Sequence, residues 1–436
     1  MRLLETLTGQ SNSQFGTAVA FSADGDTALV GAPGDGAAYV FLRSGDDWIL
    51  EARLPASGSQ DKSFGTSVAL SPNGAVALVG APFTDCPDAL FSGSECGAVY
   101  AFARQGGVWQ LEEKLTEPPF GSLLNRFGIS LALSGDGSLA LIGAPYDYCE
   151  GFCGAVFVFN RNGGAWDFDE SFRPLDFPGG TFGFSISLTP DGNTALISAP
   201  FDNCGAIIDC GAVYVYEQSG GTWIRRDRFS APDPTTAGNF GISVALSADA
   251  TVAVIGAVGD DCPAGFDCGA VYVFERIGGT WTLQRKFEST RGGDQFGFEV
   301  ALSDDGRALL IVAPFEDCAA GPNCGAVYRS VKRNGAWTDL RILPGMFSPG
   351  SFANAFPRDS LALSADGELA LVGLPGTDCA NGVDCGSALI FAALPLPASV
   401  PTLGEWGLIL LAVLLAASGT AILARRRRSG GLTPAR

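Results

Sequence analysis

The sequence predicts an all-β chain: a seven-bladed β-propeller closed by its own N-terminal strand, followed by one C-terminal transmembrane helix. Three observations carry this. One phrase, "FGTSVALSPNGAVALVGAP" at residues 64–82, returns at intervals along the chain; four strand-like runs fill each interval; and a single long uncharged stretch stands near the end. An internal repeat of 20–50 or so residues, each unit unable to bury its own apolar face, is the signature of solenoids and propellers.

Phe-Gly pairs begin at Phe15, Phe64, Phe127, Phe182, Phe240 and Phe296, and sixteen residues after each comes a Gly-Ala-Pro position: Gly31, Gly80, Gly143, Ser198, Gly256 and Val312. A seventh copy, "DSLALSADGELALVGLP", ends at Pro375 with Pro357 and Arg358 where the Phe-Gly should stand. In the second copy the runs are "SVALS", "AVALVGAP", "GAVYAF" and "VWQLEEKL", alternating, β-branched or aromatic, and punctuated by Asn-Gly and Gly-Gly, as strands and their turns are. Asx-Gly marks the first turn in six copies (Asp24, Asn73, Asp136, Asp191, Asp305, Asp366), the preference of a two-residue hairpin turn; Asp249-Ala250 in the fifth predicts a looser one.

Seven four-stranded units imply blades packed radially. Units one to six end in a fourth strand holding Trp48, Trp109, Trp166, Trp223, Trp281 or Trp337, whereas the seventh stops after "GSALIF". The missing strand is supplied by "RLLETLTGQ" at Arg2–Gln10, which matches "QLEEKLTEP" at Gln110–Pro118. The first strand therefore completes the last blade and leaves no open edge.

These residues resemble the FG-GAP repeat family, whose best-known members are the integrin α-subunit propellers, over Met1 to Leu394. The resemblance implies a seven-bladed propeller with Phe and Gly at the blade–blade contacts. Many relatives hold calcium in the first hairpin loop through a D-x-D-x-D-G run. Here the loop reads "SADGD", "SPNGA" or "TPDGN", too short to supply the six to eight oxygens calcium takes. No metal and no cofactor is expected.

The composition narrows the function. The net charge is −19; residues 401–436 carry Glu405 and five arginines, so residues 1–400 carry −23. Such a surface repels nucleic acid. The chain has no histidine, which removes the usual base near neutral pH and the histidine-assisted nucleophiles. No catalytic residue is expected, and an enzyme is the weakest of the three readings: no blade stands out with unusual polar residues.

Twelve cysteines form six local pairs, Cys86/Cys96, Cys149/Cys153, Cys204/Cys210, Cys262/Cys268, Cys318/Cys324 and Cys379/Cys385, one in every unit but the first. All lie in the loop between strands two and three. Two cysteines with no histidine or second pair beside them leave zinc short of ligands, so the pairs read as disulfides holding loops on one face in an oxidising compartment. The same loops carry Asp85, Asp147, Glu150, Asp202, Asp209, Asp260, Asp261, Asp267, Asp317, Asp378 and Asp384. Two readings stand side by side: a stapled acidic crown that binds a partner, or carboxylates that keep exposed turns soluble. Phe83, Tyr146, Phe201 and Phe315, just after the Pro position, are either exposed anchors or packing residues. In the family the loops between strands two and three share a face with the blade linkers, and integrin ligands dock there.

The C-terminal region divides into a proline-rich linker (395–405), a span (406–424) and a basic tail (425–436). "WGLILLAVLLAASGTAILA" at Trp406–Ala424 has no charge and is followed by four arginines. Nineteen residues of helix reach about 28 Å, against roughly 30 Å of hydrocarbon, and the arginines place the propeller outside the inner membrane. "VPTLGEWG", with Val400, Pro401, Thr402, Leu403, Glu405, Trp406 and Gly407, resembles the bacterial IPTL-type C-terminal sorting domain, Val400 standing where Ile is usual and Gly404 where Ser is common. The resemblance implies recognition by an exosortase-like sorting enzyme and delivery to the cell surface or matrix. Export needs a leader, and Met1 leads almost directly into "RLLETL"; the natural start is expected upstream. The functional expectation is an exported binding or adhesion module for an unidentified protein or glycan; the alternatives are a structural envelope or matrix component and an extracellular carbohydrate-active enzyme.

Overall fold

The computed structural model describes residues 1–58, 61, 63–86, 95–118, 125–148, 153–174, 180–319, 321–343, 360–380 and 382–393. Met1–Ala393 form one compact unit. The expected helix at 406–424, the sorting residues Val400–Gly407 and the basic tail lie outside the described residues. Among the described residues no helix is long and apolar enough to cross a membrane.

Seven antiparallel sheets make up the unit. In the first blade the strands are Val19–Phe21, Thr27–Ala32, Ala37–Ser44 and Asp47–Pro55; in the second they are Ser67–Leu70, Val76–Ala81, Ala98–Gln105 and Val108–Leu115. Each innermost strand neighbours those of the blades before and after it, and Val19–Phe21 meets Leu361–Leu363 of the seventh blade to close the ring. The N-terminal strand Arg2–Thr8 pairs with Ser387–Ala392 as the outer strand of the seventh blade. Leu7 is buried in the seam with the first blade and Leu4 packs against the same cluster, the register shift between Leu3 and Glu5 letting residues of unequal parity face it.

Most of the core occupies seven seams, each a cluster drawn from two adjacent blades, with a small eighth cluster around Phe184, Ile242 and Val258. Second strands such as Val76–Ala81 are buried along their whole length, which explains why they read as continuous apolar runs. Phe15, Phe64, Phe127, Phe182, Phe240 and Phe296 are all buried in these seams. Each stands 5.0–5.6 Å from the aromatic ring of its own third strand, Tyr39, Tyr100, Phe157, Tyr214, Tyr272 or Tyr328, mostly in the tilted or edge-on geometry aromatic pairs prefer.

Two expectations about the first turn are corrected. The connection is not a two-residue turn: four residues, Ala23–Asp26, separate Ser22 and Thr27, whose backbones pair at 2.9 Å. The Ser22 hydroxyl donates to Asp24 at 2.5 Å and accepts the Thr27 N–H at 2.9 Å, so side chains do the work a tight turn's geometry would do. The fifth turn is not looser either. Ala250 takes the left-handed conformation (φ 53°) that Gly takes elsewhere and donates to Ser247 O at 2.9 Å, as Gly25 does to Ser22 O.

The outer strands are edges and are blunted. A register shift interrupts the pairing of the outer strand in the first, second, third, fourth, fifth and seventh blades. In the sixth the outer strand is split into Ala336–Trp337 and Arg341–Ile342. Bulged edges resist pairing with another chain.

Candidate binding face

The stapled loops stand at the end of the ring opposite the first hairpin turns, between the second and third strands. Cys86–Cys96, Cys204–Cys210, Cys262–Cys268, Cys318–Cys324 and Cys379–Cys385 are disulfide-bonded. Cys153 is bonded as well; its expected partner Cys149 lies outside the described residues, as does Glu150.

The staples do more than shape loops. The second cysteine is buried at Cys153, Cys210, Cys268, Cys324 and Cys385, and at five joints the second cysteine's carbonyl accepts the N–H of the next blade's phenylalanine. Phe127 donates to Cys96 O at 3.0 Å, Phe182 to Cys153 O at 3.0 Å, Phe240 to Cys210 O at 3.0 Å, Phe296 to Cys268 O at 3.1 Å, and Phe15 to Cys385 O at 3.2 Å across the ring closure. The glycine after each cysteine is forced by the same approach: Gly97 has φ +83°, and a Cβ there would collide with the backbone of Phe127. The recurring Cys-Gly and Phe-Gly are two halves of one inter-blade joint.

The acidic residues separate into two sets. Asp147, Asp202 and Asp260, expected on the crown, are instead buried at the foot of their loops. Each faces a third-strand tyrosine or a cation on or just after the fourth strand. Tyr272 donates to Asp260 at 2.5 Å and to Asp233 at 3.2 Å, with Lys286 Nζ 3.3 Å from Asp260. Tyr214 donates to Asp202 at 2.5 Å, and Arg228 Nη2 is 3.4 Å away. Arg173 Nη2 lies 2.8 Å from Asp147. Burial raises the affinity of Asp260 for its proton and, with the Asp260 charge and hydrogen bond, pushes the Tyr272 hydroxyl far above the usual phenol range. A carboxylate desolvated this way stays only where charged partners are built in, so these residues are struts. The strands fix their place before any ligand arrives.

At the third blade Phe157 replaces the tyrosine. There the linker carboxyl Glu117 is held up to about 8, by burial first and by the Asp147 charge second, with Arg173 opposing.

The second set stays at the rim. Asp261, Asp267, Asp317 and Asp378 are exposed, Asp85, Asp209 and Asp384 half-buried. Their local role is turn closure. Asp261 Oδ1 accepts the Asp267 N–H at 3.2 Å, Asp317 Oδ1 the Asn323 N–H at 3.1 Å, and Asp378 Oδ1 the Asp384 N–H at 3.0 Å, with Asn203 serving Asp209 the same way at 3.0 Å. The residues donating these N–H groups sit at φ 47–52°, a conformation Asn and Asp tolerate. In the second blade Asp85 bridges to Glu95, and Glu95 pairs with Arg126 at 3.2 Å. Among the described residues no group of three or more Cys, Asp or Glu side chains is arranged to hold a metal.

Four aromatics expected either to pack or to anchor divide likewise. Phe83 and Tyr146 both lie against the Arg126 guanidinium, 5.0 and 4.8 Å away, and Phe201 packs on Phe184 at 5.9 Å. Phe315 is exposed.

Residues 48–102 and 223–274 match the FG-GAP repeat family, and the ring closed by Arg2–Thr8 has its seven blades. The chain carries FG-GAP repeats on a seven-bladed propeller. Residues 398–428 match the IPTL-CTERM motif, a sorting signal, and with the disulfides it is the combination of an exported protein. No curated protein matches the chain.

The FG-GAP propeller also holds a feature the sequence reading passed over. Two residues before the second cysteine, where the sixth blade has Pro322, the staples of the fourth, fifth and seventh blades carry Ile208, Phe266 and Val383, which are 58%, 79% and 57% exposed. Their backbones are fixed while their side chains project: Ala237 N–H donates to Ile208 O at 2.9 Å, Gly293 N–H to Phe266 O at 3.0 Å, and Asn12 N–H to Val383 O at 2.9 Å. The signal was available, since three of the four Cys-x5-Cys pairs carry a large apolar residue at the same place.

Proposed function

We propose that the chain is an exported, surface-displayed FG-GAP propeller that acts as a non-catalytic binding module, docking another macromolecule at the stapled-loop end of the ring. The observation that carries this is the set of apolar tips Ile208, Phe266 and Val383. Exposed apolar side chains are ordinary when scattered and mobile. These recur at one position in three blades and are clamped by a disulfide, an Asx-type cap and an inter-blade hydrogen bond. Immobilising an anchor before it binds removes the ordering cost of binding, and a fold has no need of that for stability alone. The IPTL-CTERM match supports handling by a sorting enzyme at the membrane, with the uncharged stretch 406–424 as the proposed inner-membrane span before any processing.

The test is a side-by-side panel. The oxidised chain and its Ile208→Ser/Phe266→Ser/Val383→Ser variant are immobilised and exposed to purified cell-surface polysaccharides and surface-protein fractions. The proposal expects at least one ligand held by the parent and lost by the variant at unchanged melting temperature. A panel in which no ligand distinguishes the two would leave the propeller a structural envelope component.

A further inference from the structure

We infer that the partner of the stapled-loop end is a polypeptide segment carrying both cationic and apolar side chains; the inference rests on the docking role proposed above and names its occupant. The argument is charge complementarity around the fixed tips. Phe266 and Val383 are flanked in their own loops by Asp261, Asp267, Asp378 and Asp384, and Asp317 stands in the loop between. Four of these five carboxylates are exposed. Among the described residues of those loops and the linkers beside them, the cation is Arg291, 3.9 Å from Asp317. Caps use one oxygen of Asp261, Asp317 and Asp378 for a backbone N–H, which holds each carboxylate in place without neutralising it.

The arrangement selects by chemistry. An anionic polysaccharide, a nucleic acid or an anionic lipid surface would meet like charge. A neutral glycan seeks flat aromatic platforms, and the tips at Ile208 and Val383 are aliphatic. Alternating carboxylates and apolar anchors match a chain whose lysines or arginines alternate with leucine-like residues: the anchors supply affinity through buried area and the carboxylates steer encounter and fix register. Because the carboxylates are already oriented, little side-chain entropy is lost when a lysine arrives.

The experiment uses the full oxidised chain and three synthetic probes: a leucine–lysine copolymer, a polylysine of equal charge and a leucine–glutamate copolymer. Binding is measured calorimetrically at 0.05 and 0.5 M salt. The leucine–lysine copolymer should bind at least tenfold tighter than polylysine and lose about tenfold at the higher salt. The triple serine variant, which changes no charge, should bind it tenfold or more weakly, and an Asp261→Asn/Asp317→Asn/Asp378→Asn variant should bind it weakly while its salt dependence flattens. Equal binding by parent and serine variant would show mere attraction of polycation to an acidic protein and would overturn the inference. If the serine variant loses a polysaccharide from the earlier panel but binds the copolymer like the parent, the face docks a ligand of another class, so the inference fails while the docking role stands.

Discussion

Glu299 reaches out of the innermost strand of the sixth blade and accepts the backbone N–H of Leu361 in the seventh at 2.7 Å, and the Ser360 hydroxyl at 2.6 Å. In other blades a serine holds this position: Ser67 donates to Gly128 O at 2.6 Å, Ser130 to Gly183 O at 2.7 Å, Ser243 to Gly297 O at 3.3 Å. Those carbonyls belong to the next blade's Phe-Gly, which the seventh copy lacks. Its second strand neighbour changes too, Val312 filling the space that Gly31 or Gly256 must leave open for an approaching glycine. Three departures from the repeat are thus one substitution of joint chemistry at one seam.

Glu299 is 4% exposed, and its loss would strand a buried N–H. Glu299→Ala should therefore destabilise the ring by roughly 2–4 kcal/mol, read as a lowered urea midpoint at constant slope. Restoring the consensus serine should not rescue, being too short to reach Leu361. A loss under about 1 kcal/mol would mean the seam is held by apolar packing alone.

Glycines at the joints and at the rim should respond differently. Gly97→Ala places a methyl against the Phe127 backbone at a left-handed φ, whereas Gly106→Ala meets nothing within 4 Å at φ +59°. The rim change should cost about 1 kcal/mol, the conformational penalty alone. The joint change should cost several times more or prevent folding, as thermal unfolding of the two variants will show.

Removing one staple separates its two roles. A Cys262→Ser/Cys268→Ser variant should lose about 2–2.5 kcal/mol, the loop-entropy value for a seven-residue ring. Because Phe296 donates to Cys268 O, its amide should also exchange faster, while the Phe127 amide, whose staple is intact, should not. Hydrogen exchange resolved by residue checks this.

Glu117 gives the chain a group that titrates near neutrality without histidine. Its proton affinity is raised in the folded state to about 8 from an ordinary 4.5, so the folded protein binds the proton more tightly than the unfolded chain. That contribution to stability is whole below about pH 4.5 and is lost as pH rises through 8. The melting temperature should fall between pH 6 and 9, and Glu117→Gln should remove that part of the fall. Parallel curves for parent and variant would contradict it.

The ring was legible because repetition over-determines it. Six Phe-Gly spacings fix the blades, and the likeness of Arg2–Gln10 to Gln110–Pro118 fixes the closure. The first turn was misjudged because Asp-Gly has the same letters in a two-residue turn and in the Ser22–Thr27 loop, and only the serine hydroxyl decides between them. Burial of Asp147, Asp202 and Asp260 was hidden for another reason. Their partners Arg173, Arg228 and Lys286 are 26 residues along the chain, on or just after an outer strand whose facing the sequence does not state. The compensation at Glu299 lay in plain view as a departure from serine, but its meaning needs the neighbouring blade.

The docking end of the ring can be tested without knowing the ligand. Hydroxyl-radical footprinting of the oxidised chain, alone and in an extract of surface proteins from its own cells, reads side-chain protection directly. Protection concentrated at Ile208, Phe266, Phe315 and Val383 is the expected result. Protection confined to the exposed outer-strand residues Ile49 and Val108, with the three tips and Phe315 unchanged, would place the interface on the outer edge and contradict the account.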